Sequence, residues 1–403
     1  MVSLSQTMAR IPPSPTIAAA AKANALKAQG KDIISFTVGE PDFDTPKHVR
    51  DAAVEALDKG LTRYTAAEGT VALRQVICDK LKRDQGVEYT PKDIVVTNGG
   101  KQALAAACAV VLNPGDEVII PAPYWTSYPD MVRLAGGEPV IVETYAKEGY
   151  ALTPEALRKA CSDRTKMIII NSPSNPTGAC YSGAELKALA NVISSLKNKS
   201  NIVVVTDEVY EYITYDGFKH ESIVTVAPEL REQILIVNAF SKAYAMTGWR
   251  VGYAAGPRNI IDAMAIHQSQ FTSNVCSIAQ YAAGKAYDDN YAFPTMMRDE
   301  FAKRVEIVCG AVEQMPGIKL SVKPRGAFYA FLEIDGLVGK KDGNIVINSG
   351  QDFANYLLEK YDVVVVQGEA FGAPKAVRIS FALRTEDLKK GLERIKQAAS
   401  SLS

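Results

Sequence analysis

The sequence predicts an α/β protein with a large domain, built on a mostly parallel mixed sheet covered by helices, and a smaller α+β domain. Three observations support this fold class. Short apolar runs alternate with amphipathic stretches of helical length over most of the chain, these runs are rich in Val and Ile, and long helical stretches dominate further on. Continuous apolar strands are typical of sheets buried on both faces, and alternation with helices is typical of parallel sheets.

Seven apolar runs are expected to form the strands of the large sheet. The segments between several of them, such as 101–112 and 183–196, have the apolar spacing of helices. The predicted strands cover residues 94–97, 117–120, 139–142, 167–170, 202–206, 234–237 and 250–254.

The remaining sequence predicts the domain organisation. Residues 1–45 begin with a proline-rich stretch, which cannot form regular structure alone, so we expect an arm and part of the small domain there. Residues 46–290 are expected to form the large domain, and residues 291–403 the small C-terminal domain. The elements predicted after residue 256 are helical stretches over 258–288 and 290–315, strands near 326–334, 363–366 and 376–382, and helices near 351–360 and from Thr385.

Composition argues against several classes of function. Lys plus Arg and Asp plus Glu both number 45, and the resulting net charge of 0 disfavours a nucleic-acid or membrane partner held by bulk electrostatics. The three histidines lie far apart in the sequence, so metal hydrolysis and Ser-His-Asp chemistry lack their usual parts. We therefore expect small-molecule substrates and no metal.

Cysteine usage and the N-terminal sequence favour a cytoplasmic location. The six cysteines are scattered without a Cys-x-x-Cys pair, which is typical of a reduced compartment. Residues 1–15 contain no apolar core of signal-peptide length, and no apolar run reaches the length of a membrane span. An organelle such as a plastid, reached with a transit peptide that has been removed, stays open.

Lys242 is the residue that most directly suggests a chemistry. It follows the predicted strand at 234–237, with Ser241 beside it and Arg250 downstream. A lysine attacks a carbonyl only when it is uncharged, so poor solvation and a nearby cation suit imine chemistry on a phosphorylated cofactor. Spacing alone leaves open that Lys242 is an ordinary solvated lysine.

Other polar segments also follow predicted strands directly. Asn175 lies in Asn-Pro-Thr-Gly after one strand, Asp207 follows the next, and Asn-Gly-Gly-Lys at 98–101 opens a helix whose free N–H groups favour a phosphate. Each has an ordinary alternative, such as a turn, a helix cap or, for Arg250 and Arg378, a surface ion pair. Ligands of open α/β sheets bind outside the carboxyl ends of the strands, where these segments should meet.

Together these motifs resemble the fold-type I pyridoxal-phosphate aminotransferases. The resemblance rests on Asn-Pro-Thr-Gly at 175–178, Asp-Glu-Val-Tyr at 207–210, the lysine segment at 241–253 and Arg-Ile-Ser at 378–380. The segments at 39–46, 98–103 and 123–125 are similar to the subgroup Ib aspartate aminotransferases, a branch that includes prephenate aminotransferases. The resemblance covers the chain from about residue 13 to its end.

The resemblance implies a pyridoxal 5'-phosphate cofactor and a homodimer with shared active sites. By this resemblance, Lys242 would hold the cofactor covalently and then transfer a proton. Asp207 would pair with the ring nitrogen, and Asn175 and Tyr210 would donate hydrogen bonds to the ring oxygen. The other residues implied to contact the cofactor are Gly100, Lys101, Trp125, Ser241, Arg250 and, from the neighbouring subunit, Tyr64.

The resemblance also implies how substrate is bound. Arg378 would hold the α-carboxylate, helped by Gly39, Asn175 and Trp125, and Lys101 would hold a distal carboxylate with help from Thr16. The expected activity is transfer of the amino group between L-aspartate and 2-oxoglutarate. The alternative is amination of prephenate to arogenate.

Some positions depart from the family pattern or keep other functions open. Glu68 stands where many relatives carry a small residue, and its carboxylate would repel an acidic substrate unless it points away. Val209 replaces the usual isoleucine, which should be neutral, and Thr70 resembles prephenate-using relatives. A pyridoxal-phosphate lyase or synthase would share Lys242 and Asp207. A cofactor-free nucleotide-binding or regulatory protein is supported only by the Gly-rich start of one helix.

Overall fold

The structure is a computed structural model that describes residues 2–3 and 5–403. Met1 and Leu4, which belong to the predicted N-terminal segment, lie outside the described residues. Within these ranges no helix combines the length and apolar character that a bilayer crossing requires.

The strands are β1 (Ile34–Ser35), β2 (Ile94–Thr97), β3 (Glu117–Ala122), β4 (Glu138–Glu143), β5 (Thr165–Asn171), β6 (Val203–Asp207), β7 (Ile234–Ala239), β8 (Gly252–Ala255), β9 (Tyr329–Glu333), β10 (Lys341–Asp342), β11 (Ile345–Val346), β12 (Val363–Val364), β13 (Val366–Gln367) and β14 (Ala376–Ser380).

Helices connect most of these strands, in the alternation that the sequence predicts. They are α1 (Gln6–Ala9), α2 (Pro15–Ala28), α3 (Lys47–Asp58), α4 (Val71–Gln85), α5 (Gly100–Val111), α6 (Tyr128–Leu134), α7 (Pro154–Ala160), α8 (Gly183–Ser195), α9 (Ile223–Val226), α10 (Phe240–Ala243), α11 (Arg258–Phe271), α12 (Ser277–Gly284), α13 (Ala292–Val312), α14 (Gly350–Tyr361) and α15 (Thr385–Ser400).

The large sheet has seven strands in the order β2-β8-β7-β6-β5-β3-β4. Strand β8 runs antiparallel to both of its neighbours, and the other neighbouring pairs are parallel. Each strand overlaps one of the seven predicted apolar runs. This mixed, mostly parallel sheet confirms the predicted α/β fold class.

The central strands are buried on both faces, which explains their continuous apolar sequences. Alternate side chains enter two different cores: Ile168 and Ile236 pack in one, and Ile169 and Leu235 pack in the other. This alternation follows from the two-residue repeat of a strand. Because helices pack on both faces, the strand ends are where a ligand can reach this sheet.

A second region forms around the antiparallel sheet β13-β14-β9. Its core contains residues from α13, α14 and α15, including Phe301, Phe353 and Leu392. Strand β1, from the N-terminal segment, pairs in parallel with β12 and so joins this C-terminal region. The domain boundaries after residues 45 and 290 stay predictions.

Local sequence signals determine where the helices near the sheet edge begin. Ser182 and Glu185 form a capping box at the start of α8, which pairs free N–H groups of the first turn. Gly99 precedes α5 with φ of +80°, a conformation that glycine adopts readily. A Cβ at Gly99 would lie 2.4 Å from Nη2 of Arg250, so glycine also lets this arginine lie against the helix start.

Candidate active site

The carboxyl ends of the parallel strands meet at one edge of the large sheet. There β5 ends at Asn171, β6 ends at Asp207, and β7 leads into α10, which carries Lys242. The register pairs Asn171 with Asp207 and Asp207 with Val237. A cavity of about 890 Å³ lies at this edge, in the position where open α/β sheets bind ligands.

The structure brings nearly all of the predicted site residues into this cavity, together with Thr16 of the N-terminal segment. Tyr64 is the exception: it is 90% exposed and lines a different cavity, of about 570 Å³. The predicted residues that line the first cavity are Gly39, Gly100, Lys101, Trp125, Asn175, Asp207, Tyr210, Ser241, Lys242, Arg250 and Arg378.

The amine of Lys242 donates a hydrogen bond to the carbonyl oxygen of Gly39. Desolvation lowers the pKa of Lys242 to about 8; the Glu40 carboxylate opposes this decrease, and the guanidinium groups of Arg250 and Arg378 add to it. A lysine with such a pKa is partly uncharged near neutral pH. The site therefore provides a nucleophilic amine.

Asp207 is buried and has one strong hydrogen-bond donor. The hydroxyl of Tyr128 donates to Oδ2 over 2.6 Å, and the backbone N–H of Val209 lies 3.4 Å from Oδ1. Burial raises the pKa of Asp207 to about 6, although both hydrogen bonds lower it. The carboxylate is therefore mostly ionised at pH 7 and can pair with a cationic group in the cavity.

A group of buried side chains links the C-terminal region to the sheet edge. Arg378 donates from Nη1 to Oδ1 of Asn175 over 3.1 Å and from Nη2 to the carbonyl of Thr37 over 2.9 Å. The hydroxyls of Tyr210 and Tyr329 are 2.9 Å apart, and the guanidinium carbon of Arg378 lies 4.5 Å from the centre of the Tyr329 ring. These contacts fix the guanidinium plane, which suits recognition of a carboxylate.

Arg250 and the start of α5 form a cationic corner of the cavity. Arg250 donates from Nη1 to the carbonyl of Thr247 over 2.8 Å and from Nη2 to that of Asn98 over 3.1 Å. Gly100 and Ser241 line the same cavity. A helix N-terminus beside a guanidinium group suits a phosphate.

A buried charge network lies behind Asp207. Ligand atoms of Glu208, Glu211 and His220 lie within 4.8 Å of one another, close enough for a metal site. However, the ammonium of Lys80 is 2.6 Å from Oε2 of Glu211, and Nε2 of Gln85 donates to Glu208 over 2.7 Å. Desolvation favours a low pKa for His220, but the Glu208 carboxylate raises it above its usual value. The network thus pairs Glu211 with the Lys80 ammonium, and it places Gln85 and His220 against Glu208.

Sequence reasoning missed Tyr128 and Tyr329, which both line the cavity. Tyr128 lies three residues after the candidate residue Trp125, and this short separation was the only signal in the sequence that could have identified it. Tyr329 reaches Tyr210 because β9 pairs with β14, with Tyr329 opposite Ser380. No local pattern reveals that pairing between distant segments.

The departure at Glu68 has a structural explanation. Its carboxylate lies 3.5 Å from Nη2 of Arg74. In the described part of the chain, Glu68 is not among the residues that line the cavity around Lys242. Val209, the other departure, does line it.

Known proteins resemble this chain over its whole length. The model of the family described as aminotransferase class I and II matches residues 31–395. The chain is 46% identical over 404 residues to an aspartate/prephenate aminotransferase of Cereibacter sphaeroides, covering 100% of both chains. A crystal structure of the aspartate aminotransferase from Rhizobium meliloti superposes with a TM-score of 0.96 at 42% identity, covering 100% of both chains. The Thermus thermophilus aspartate aminotransferase solved with maleate gives a TM-score of 0.91 at 41% identity, over 99% of this chain and 100% of that one.

Proposed function

This chain belongs to the family of class I and II aminotransferases, and we propose that it exchanges the amino group of L-aspartate with 2-oxoglutarate, giving oxaloacetate and L-glutamate. The enzyme is a transaminase that uses pyridoxal 5'-phosphate, as the sequence motifs predict. The observation that carries the proposal is that Lys242, Asp207 and Arg378 line one cavity. They provide an amine nucleophile, a partner for the ring nitrogen and a fork for a carboxylate.

The residues around the cavity fit this cofactor. Arg250 and the start of α5 offer positive charge to the phosphate. Asp207 offers an anion to the ring nitrogen, and Lys242 offers an amine of lowered pKa to the aldehyde. The volume of about 890 Å³ leaves space for a substrate beside the cofactor.

Lys242 is proposed to carry out the proton transfer. When bound, the cofactor supplies an electron-withdrawing ring that makes the Cα–H of the amino acid acidic. The uncharged Lys242 amine would take the proton from Cα as a general base. Its pKa of about 8 suits this role, because the amine can both accept and return a proton near neutral pH.

Other side chains would hold the cofactor in place. Asp207 would pair with the ring nitrogen, Asn175 and Tyr210 would contact the ring oxygen, and Trp125 would pack against the ring face. The proposed phosphate ligands are Ser241, Arg250 and the backbone of Gly100 and Lys101.

Substrate would be bound at its two carboxylates. Arg378, already oriented by Asn175 and Thr37, would bind the α-carboxylate, next to Gly39. Lys101 would attract the distal carboxylate, with Thr16 nearby in the cavity lining. The Thermus thermophilus relative was solved with maleate, a dicarboxylate, which supports this assignment.

The enzyme is proposed to act as a cytoplasmic homodimer in which Tyr64 reaches the phosphate of the neighbouring subunit. In support, Tyr64, which is 90% exposed, and the exposed Leu61 line one open cavity, and exposed apolar residues that lie together often mark a protein–protein contact. The cavity that Tyr64 lines is separate from the one that holds Lys242. Reduced cysteines favour the cytoplasm.

Prephenate amination is the second candidate function. It is favoured by the Cereibacter sphaeroides relative, which is named for both activities. With L-glutamate as donor, kcat/KM for oxaloacetate and for prephenate can be compared directly. A large preference for prephenate would replace aspartate as the principal substrate.

A single-turnover experiment tests the main proposal. Enzyme loaded with pyridoxal phosphate and mixed with L-aspartate alone should release one oxaloacetate per site and then stop, until 2-oxoglutarate is added. Continuous consumption of L-aspartate without a 2-oxo acid, with release of CO2 and L-alanine, would instead reveal a lyase. Failure to bind the cofactor at all would refute the proposal.

A further inference from the structure

Tyr128 contacts two of the residues proposed to hold the cofactor ring. It begins α6 and is only 3% exposed. Its hydroxyl donates to Oδ2 of Asp207 over 2.6 Å, and its ring lies edge-on to Trp125, with centroids 5.4 Å apart at 87°. Its backbone N–H also donates to the carbonyl of Trp125 over 3.0 Å, which fixes the turn between them.

Resting on the proposed function, we propose that Tyr128 is a positioning residue that keeps the proton shared by Asp207 and the ring nitrogen of the cofactor on the nitrogen. A hydrogen bond to a carboxylate stabilises its ionised form. The proton moves only between a carboxyl oxygen of Asp207 and the ring nitrogen, and no other bond forms or breaks. Tyr128 acts through Asp207 and does not itself react.

The surroundings of Asp207 make this hydrogen bond decisive. The other donor, the N–H of Val209, is distant at 3.4 Å. Burial raises the pKa of Asp207 to about 6 even with Tyr128 present, so the carboxyl would compete more strongly for the proton without it. The other ionisable groups acting on Asp207 are Glu208, Lys242 and Tyr210.

The hydroxyl of Tyr128 is suited to donate. Burial raises the pKa of Tyr128 well above its usual value, so the phenol keeps its proton. It donates to Oδ2 of Asp207, and Asp207 lines the cavity proposed to hold the cofactor. The edge-on contact with Trp125 restricts rotation of the Tyr128 ring and so of the donated bond.

The test is the ¹⁵N NMR shift of pyridoxal phosphate labelled at the ring nitrogen and bound to wild-type, Tyr128→Phe and Asp207→Asn proteins. Tyr128→Phe keeps the ring and its contact with Trp125 while removing the donor. Tyr181→Phe is the matched control, because Tyr181 is also buried but its hydroxyl accepts from the N–H of Leu152 over 2.8 Å. Thermal melting of each variant checks the fold.

We expect a protonated ring nitrogen in wild type and an unprotonated one in Asp207→Asn. Tyr128→Phe should reduce the ratio of protonated to unprotonated nitrogen about 10-fold or more, the worth of a hydrogen bond to a charged group. Tyr181→Phe should leave it unchanged. An unchanged ratio in Tyr128→Phe, or an equal change in both tyrosine variants, overturns the inference.

Two further results keep the test decisive. If Tyr128→Phe melts early, 3-fluorotyrosine at this position, a stronger donor of nearly the same shape, must shift the ratio towards protonated nitrogen, and no shift refutes the role. If the wild type turns over aspartate but Tyr128→Phe leaves the protonation of the ring nitrogen unchanged, this inference alone is refuted. A wild type that does not bind the cofactor refutes the proposed function as well.

Discussion

The ammonium nitrogen of Lys101 lies 5.0 Å from the centre of the Trp125 ring. This cation–π contact holds a flexible side chain against the cavity wall. Arg378 lines the same cavity, so two cations from separate elements face one ligand space. That arrangement suits a substrate with two carboxylates.

Lys101→Gln should therefore lower activity towards acidic substrates selectively. We expect kcat/KM for L-aspartate to fall about 10-fold or more, because a charged hydrogen bond is lost. L-Alanine, which has no distal carboxylate, should lose about 3-fold or less by the same reasoning. Steady-state kinetics with both amino acids decides, and equal losses would contradict the role of Lys101 in choosing the substrate.

Arg378→Lys should weaken every amino-acid substrate alike. Lysine keeps the charge but lacks the planar fork that Asn175 and Thr37 orient. We expect KM to rise about 10- to 100-fold for both L-aspartate and L-alanine. Arg384→Lys is the matched control, because Arg384 also lines the cavity but is 79% exposed and pairs with Asp387. A loss confined to L-aspartate would show that Arg378 binds the distal carboxylate.

Much of the candidate site could be predicted because its residues follow strongly apolar strands. Asn175, Asp207 and Lys242 come after Val/Ile-rich runs, and parallel strands bring their carboxyl ends together. The contact of Tyr128 with Asp207 depends on how α6 packs over the sheet edge, which short-range patterns do not encode.

The same limit applies to residues far apart in the chain. Arg378 meets Asn175 only because β14 and the end of β5 approach in the folded chain. The sequence motifs predicted that both residues belong to the site, but they did not predict the hydrogen bond between them. The antiparallel orientation of β8 was also hidden, since its apolar run resembles those of its parallel neighbours.

The pKa of Lys242 predicts how the protein without cofactor captures pyridoxal phosphate. Only the uncharged amine reacts, so the rate of capture should rise with pH and level off above a midpoint of about 8. Borohydride trapping followed by mass spectrometry of the Lys242 peptide measures this rate. A midpoint near the ordinary lysine value of about 10.4 would show that desolvation and the nearby arginines do not act as described.

Lys242→Ala should then abolish turnover, by at least about 1,000-fold, because the nucleophile and the proton-transfer group are both lost. The cofactor should still bind through its phosphate and ring contacts, which equilibrium dialysis can measure. Lys147→Ala, at a side chain 78% exposed, is the control and should change nothing. Near-normal turnover in Lys242→Ala would overturn the mechanism.

Mixed dimers test whether the sites are shared between subunits. Lys242→Ala and Tyr64→Ala should each be impaired, the latter by about 10-fold or more if a charged hydrogen bond to phosphate is lost. In a mixed dimer, one site would combine the intact Lys242 of one chain with the intact Tyr64 of the other. Unfolding and refolding the two variants together should therefore restore activity. No gain over the separate variants would place Tyr64 outside the neighbouring site.

The buried network behind Asp207 predicts a large effect on stability. Lys80 is fully buried and its ammonium lies 2.6 Å from Glu211. Lys80→Met should lower the free energy of unfolding by about 3–5 kcal/mol, because it leaves a buried carboxylate without its cation. Urea denaturation at fixed protein concentration measures this, since the stability of the proposed dimer would depend on concentration.

Lys82→Met provides the control on the same helix. Lys82 pairs with Glu88 over 2.7 Å but is 67% exposed, so its loss should lower stability far less than the loss of Lys80. Adding Glu211→Gln to Lys80→Met should recover part of the lost stability, because no uncompensated charge then remains. Equal decreases in the free energy of unfolding for Lys80→Met and Lys82→Met would contradict the prediction. The buried ion pair of Lys80 would then stabilise the protein no more than an exposed one.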